Sequence, residues 1–325
     1  MTVPGRVTIG IPTLNRSQLA VRAIRSALAQ NYGDIEVIVS DDGSTDDTVE
    51  RVRGLRDPRV VLFEQKTRLG LVGNFNFCLQ HASGEFFLLL GDDDLLLPEA
   101  IARLAAPFLD STDTAKPGSV GMTWCPCRIA DANSSQFWTT EGGPAFESPV
   151  SMLVQLWAGN RGPRLSGILV RTQDSLAVGG YREKYGDLCD IGNWGLASLL
   201  RDRVACVSQP LVQYTNHLGS TTSQSSVKKW QDSARRVHGD LLASVRARSD
   251  REGERKLAAA RTNFISGITL TILIQTIGRP GWVRNAIMQA FRTPGAVFTP
   301  YMFRRLLKDG RKVFTVRRSA RAQSK

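Results

Sequence analysis

The segment Glu85-Phe86-Phe87-Leu88-Leu89-Leu90-Gly91-Asp92-Asp93-Asp94 decides how the rest of the chain is read. Its apolar run has strand length and almost no polar interruption, as expected of a strand buried on both faces of a helix-covered sheet. It ends directly in three carboxylates. In open α/β sheets, ligands bind beyond the carboxyl ends of the strands. Three adjacent carboxylates repel one another there, so a compensating charge is favoured. Mg²⁺ or Mn²⁺, bound by one or two of them together with a substrate diphosphate, would supply it. The alternative is a solvated acidic turn capping the helix that starts near Pro98.

Working outward, residues 7–124 alternate short β-rich runs with amphipathic helical stretches, the pattern of a parallel sheet covered by helices. Strands are expected at 7–12, 35–40, 60–64 and 85–90, with helices at 18–30, 45–55 and 71–81. Polar residues collect where these strands end: Asn15 and Arg16 after the first, Asp41 and Asp42 after the second, Asp92 to Asp94 after the fourth. Asp42 offers an acceptor for the imide N–H of a pyrimidine base, whereas turn and capping chemistry suffices for Ser44 and Asp46. Further on, strands are expected at 121–124, 167–171 and 204–207, and helices at 149–158 and 191–201. A Ser/Thr-rich linker at 220–226 then leads to helices over 228–248 and 252–277. Pro280 and Pro294 mark breaks before two more short helices.

Composition fits a folded chain of 325 residues: 42% are apolar, 22% are charged, and 6 Trp, 13 Phe and 5 Tyr can fill a core without disulfides. The cysteines agree. Five is an odd number, and only Cys125-Pro126-Cys127 shows paired spacing, too tight for a zinc knuckle. With no signal-like apolar run at the N-terminus, a reducing, cytoplasmic setting is expected.

The net charge of +12 is unevenly distributed. Residues 226–325 hold 22 Lys and Arg against 6 Asp and Glu, net +16, and residues 1–225 carry net −4. This suggests a ligand-binding region at 1–225 and a helical basic extension at 226–325. Near the C-terminus Arg304, Arg305, Lys308, Arg311, Lys312, Arg317 and Arg318 surround Val313, Phe314 and Val316, which suits an anionic membrane surface. No nucleic-acid-binding motif accompanies the charge. The uncharged run 262–278 is shorter and more polar than the roughly 20 apolar residues a membrane span requires.

Several blocks in order resemble glycosyltransferase family 2, the inverting, nucleotide-sugar-dependent enzymes of the GT-A fold. They are Val7-Thr8-Ile9-Gly10-Ile11-Pro12-Thr13-Leu14-Asn15-Arg16, residues 26–30 and 35–48, Ala82-Ser83-Gly84-Glu85, and Asp92 to Pro98. The resemblance is strong over 7–98 and extends more weakly to about 217. It implies an α/β, Rossmann-like mixed sheet and transfer of a sugar to a hydroxyl of a saccharide or lipid-linked acceptor. It places Thr13, Asn15, Arg16 and Asp42 on the nucleoside, Asp92 on the sugar or ribose, and Asp93 or Asp94 on the metal. It puts Arg68 near the donor. Leu14 stands where many members have an aromatic residue against the base.

An inverting transfer needs a base for the acceptor hydroxyl. Gly186-Asp187-Leu188-Cys189-Asp190 resembles the family's acidic segment, with Asp190 at its base position, Cys189 where Glu is frequent, and Asp187 as the alternative. Both also suit plain helix capping. Tyr214-Thr215-Asn216-His217 resembles the segment whose His completes the metal site. Trp157 and Trp194 read as acceptor platforms or as core. Two other readings stay open: a nucleotidyltransferase, although the glycine-rich basic loop expected near the first strand is absent, and a non-catalytic membrane-surface module that keeps the fold.

Overall fold

The computed structural model describes residues 2–110, 120–131, 137–216 and 226–276. The N-terminal half is built from strands β1 (Val3–Thr13), β2 (Ile35–Asp41), β3 (Val60–Glu64) and β4 (Gly84–Leu89), with helices α1 (Ser17–Leu28), α2 (Thr48–Arg53) and α3 (Gly70–Gln80) between them. The four strands pair in parallel in the order β3-β2-β1-β4. The strand order therefore reverses between β1 and β4, which is where such sheets open a crevice for ligands. Ala23, Ile24 and Ala27 of α1 pack on one face with Val7, Ile9, Ile11, Phe86 and Leu88. Val72, Phe75, Cys78 and Leu79 of α3 pack on the other with Phe87 and Leu89. Gly10 lets α3 come close, because a Cβ there would lie 2.8 Å from Cβ of Cys78.

The sheet continues through strands of mixed direction. β5 (Leu95–Leu96) and α4 (Ala100–Leu109) are followed by β6 (Val120–Trp124), β7 (Cys127–Asp131), β8 (Phe137–Thr139), β9 (Phe146–Glu147), α5 (Pro149–Trp157), β10 (Ile168–Arg171), α6 (Thr172–Ala177), α7 (Cys189–Ser198), β11 (Arg203–Cys206) and β12 (Val212–Asn216). The complete order is β3-β2-β1-β4-β10-β6-β11-β9, with β10 antiparallel to both β4 and β6. This agrees with the mixed sheet implied by the resemblance and extends the purely parallel pattern read from periodicity. A second sheet, β5-β12-β7-β8, had no counterpart in the sequence reading.

α8 (Val227–Ala247) begins at Ser226, whose side chain accepts a hydrogen bond from the Lys229 N–H at 3.2 Å. Ser226 is thus a helix cap rather than linker, while 217–225 lie outside the described residues. Val227, Trp230, Ala234, Val237, Leu241 and Val245 recur at helical spacing and are buried. α9 (Arg251–Thr276) buries Leu257, Ala260, Phe264, Ile265 and Ile268 in the same core as α3, α5 and α7. Trp157 stacks on Phe264 with ring centres 4.6 Å apart, and Trp194 is also buried, so both are core residues. Part of the uncharged 262–278 run therefore lies in this core. No helix among the described residues is long and apolar enough to cross a membrane. The helices expected after Pro280 and Pro294 lie outside the described residues.

Candidate functional site

The reversal between β1 and β4 brings the first and third polar strand ends together. Thr13, the last residue of β1, donates its hydroxyl to Oδ2 of Asp92 at 2.9 Å. Arg16 donates to Asp92 Oδ1 at 2.9 Å and to Asp93 Oδ2 at 3.0 Å. Burial disfavours the Arg16 charge, but Asp92 and Asp93 outweigh it and raise the pKa. Asp94 turns inward. Its Oδ2 accepts from the Ser166 hydroxyl at 2.5 Å, and its Oδ1 accepts from the backbone N–H of Thr215 at 2.9 Å. Strand β12 of the second sheet is thereby tied to the mouth of β4.

The second polar strand end adjoins the first. Asn15, at φ +52°, accepts the Thr45 N–H on Oδ1 at 2.7 Å, and its own N–H donates to Ser44 at 2.8 Å. The Asx geometry tolerates a left-handed backbone at this position. Asp46 accepts the Thr48 N–H at 3.0 Å, so α2 starts three residues later than expected. Asp42 accepts from the N–H groups of Leu69 and Gly70 at 2.6 and 3.1 Å. Both oxygens hold the start of α3 and retain one lone pair each. Arg68 is exposed on the preceding loop, its Cγ 3.8 Å from where a Cβ on Gly43 would stand.

Asp190 lies in the first turn of α7. Burial pushes its carboxyl up to about 6, opposed by backbone N–H groups and by the charge of Arg164. Asp187 is differently placed: it accepts from Nζ of Lys229 at 2.9 Å and from Nε1 of Trp230 at 3.0 Å, both on α8. His217 lies outside the described residues.

Residues 8–125 match the family described as Glycosyl transferase family 2. The chain is similar to glycosyltransferase family 2 over this segment. It is 43% identical over 102 residues to the GalNAc(5)-diNAcBac-PP-undecaprenol beta-1,3-glucosyltransferase of Campylobacter jejuni, covering 30% of this chain and 33% of that one. It is 34% identical over 97 residues to the UDP-Glc:alpha-D-GlcNAc-diphosphoundecaprenol beta-1,3-glucosyltransferase WfaP of Escherichia coli, covering 30% and 39%. The chain thus spans little more than a third of the length of these relatives. Residues 1–349 of S. aureus TarS, solved with UDP-GlcNAc, superpose with a TM-score of 0.57 at 16% identity, covering 89% of this chain and 92% of that one. The fold is GT-A.

The acidic triplet suits a divalent cation. Burial first, and repulsion from neighbouring carboxylates second, push Asp94 up to about 8; burial also pushes Asp92 up to about 6 despite Arg16. Burial leads both shifts, so a cation beside these carboxylates would favour their ionised form. A Cβ on Gly91 would fall 3.0 Å from Asp93 Oδ1 and 3.2 Å from Asp94 Oδ2, so the glycine leaves open the space that both oxygens face. Nearby, the buried Thr215 hydroxyl has no hydrogen-bond partner among the described residues. No group of three or more His, Cys, Asp or Glu able to hold a metal occurs among the described residues. Two carboxylates completed by substrate phosphates remain compatible with Mg²⁺, which retains outside ligands.

Sequence reasoning missed Ser166 and Arg164 as neighbours of the site, and had Thr215 only as part of the segment that resembles the one whose His completes the metal site. Ser166 precedes an expected strand and Thr215 follows one, but only sheet pairing shows that both reach Asp94.

Proposed function

We propose that the chain is an inverting glycosyltransferase, moving a sugar from a nucleoside diphosphate donor to a hydroxyl of a saccharide or lipid-linked acceptor. The observation that carries this reading is the convergence of Thr13 and Arg16 with Asp92, Asp93 and Asp94 at one sheet edge. Two relatives are named for transfer to undecaprenol-diphosphate-linked sugars, which supports a lipid-linked acceptor. TarS was solved with UDP-GlcNAc, which supports a nucleotide-sugar donor.

On this reading Thr13, Asn15, Arg16 and Asp42 shape the nucleoside side, and Asp92 orients the ribose or sugar through its bonds to Thr13 and Arg16. Asp93 and Asp94, with His217, would hold Mg²⁺ or Mn²⁺. When bound, such an ion supplies positive charge for the departing diphosphate. Arg68 adds a second positive charge near the donor. Asp190 accepts the acceptor hydroxyl's proton as that oxygen attacks the anomeric carbon from the side opposite the diphosphate. Asp187 suits this role less well, because Lys229 and Trp230 already engage both its oxygens.

Residues 1–225 would form the catalytic unit. The basic extension would hold the enzyme peripherally on the anionic cytosolic face of a membrane, and nucleic acid is not a partner. The test is thermal unfolding with a panel of nucleotide sugars, with and without Mg²⁺ or Mn²⁺. A ligand that binds only the native state raises its stability by mass action. The preferred donor should raise the Tm most, and only with the metal; no response to any nucleotide sugar would count against the reading.

A further inference from the structure

We infer that α8, the first helix of the basic extension, is a positioning element of the active site, holding the segment that carries Asp190 through Lys229, Trp230 and Asp240. This rests on the reading of Asp190 as the base. Residues 182–188 cross the face of α8 directly before α7 begins. Asp187 accepts from Lys229 and Trp230, Arg182 donates to Asp240 at 3.1 Å, and Arg236 donates to the Lys184 carbonyl at 3.0 Å. The Tyr185 hydroxyl also donates to Asp240.

Two glycines show how closely these parts fit. Gly186 sits at φ +51°, and a Cβ on it would lie 3.2 Å from the Ser233 hydroxyl of α8. A Cβ on Gly192 of α7 would lie 2.2 Å from the Tyr185 ring. Tyr185 therefore packs its ring against α7 and bonds its hydroxyl to α8. A shift of α8 would be transmitted to the first turn of α7, where Asp190 stands.

The clamp has an electrostatic consequence as well. The charged groups that act on Asp190 are Arg164, from the loop before β10, and Asp187; Asp190 in turn raises the pKa of the neighbouring Cys189 and Tyr181. Of these, Arg164 favours the ionised carboxylate and Asp187 disfavours it. Lys229 in turn pairs with Asp187.

The test uses the full chain with ¹³C-labelled aspartate carboxyl groups, Asp190 being assigned by its loss in Asp190→Asn. Its midpoint is expected near 6. Asp187→Asn should move it down by removing a like charge, and Asp187→Glu should restore it. Trp230→Phe keeps an aromatic ring but loses the indole donor. It should speed hydrogen exchange of amides 186–191 by about tenfold or more, the scale of one hydrogen bond to a charged group, while β1 stays protected. Unchanged exchange of amides 186–191 in Trp230→Phe would overturn the inference. Neither readout depends on sugar transfer, so the result stands whether or not a transfer assay succeeds.

Discussion

Asp190 and Asp93 carry separable parts of the proposed reaction, and single substitutions should show it. Asp190→Asn should lower turnover by about 10²–10⁴-fold with donor affinity nearly unchanged, because a base acts on the acceptor's proton. The base works ionised, so the rate–pH profile of the wild type should fall as pH drops through about 6. Calorimetric donor binding alongside steady-state rates separates the two effects. Asp93→Asn should instead abolish the response to Mg²⁺ or Mn²⁺, as should excess chelator on the wild type; full transfer in chelator would rule out the metal. The placement of the acidic triplet and Asp42 at strand ends was legible in the sequence, whereas Asp190 was singled out by the family resemblance. The bonds of Ser166 and Thr215 were not legible. Their partner Asp94 is 72 and 121 residues away, and only sheet pairing brings them to it.

At the scale of elements, helices and long strands followed periodicity closely. β1, α1, β2, α3 and β4 fell near their expected positions because each buries a regular apolar face. The second sheet escaped notice: β5 and β8 are 2 and 3 residues long, too short for alternation to emerge, and β12 pairs with β5 and β7 from far away in sequence. The helices α8 and α9 were anticipated as helices, but the contact between α5 and α9 was not. Trp157 is 1% exposed and stacks on Phe264. Trp157→Ala should therefore destabilise the protein by about 3–5 kcal/mol, as large-to-small changes of buried aromatics do. Equilibrium denaturation by urea measures this, and a change under about 1 kcal/mol would show that the contact contributes little.

For the whole molecule, the described part of the basic extension turns its apolar stripe into the core and leaves Lys228, Arg235, Arg236, Arg255 and Arg261 exposed. Attachment of this surface to a bilayer would be chiefly electrostatic. Vesicles containing anionic lipid should sediment the protein at low ionic strength and release it as salt approaches about 1 M, where the screening length falls to about 3 Å. Equal binding to neutral vesicles, or retention that only detergent reverses, would contradict peripheral attachment. The proposed function depends on sugar transfer itself. Mass spectrometry of a polyprenyl-diphosphate-linked saccharide, incubated with the protein, Mg²⁺ or Mn²⁺ and a panel of nucleotide sugars, reads that step directly. One added sugar residue on the acceptor, inverted at the anomeric carbon, is expected, with release of a nucleoside diphosphate and no product from Asp190→Asn. An acceptor product formed equally by Asp190→Asn, or no donor consumed with any acceptor tried, would contradict it.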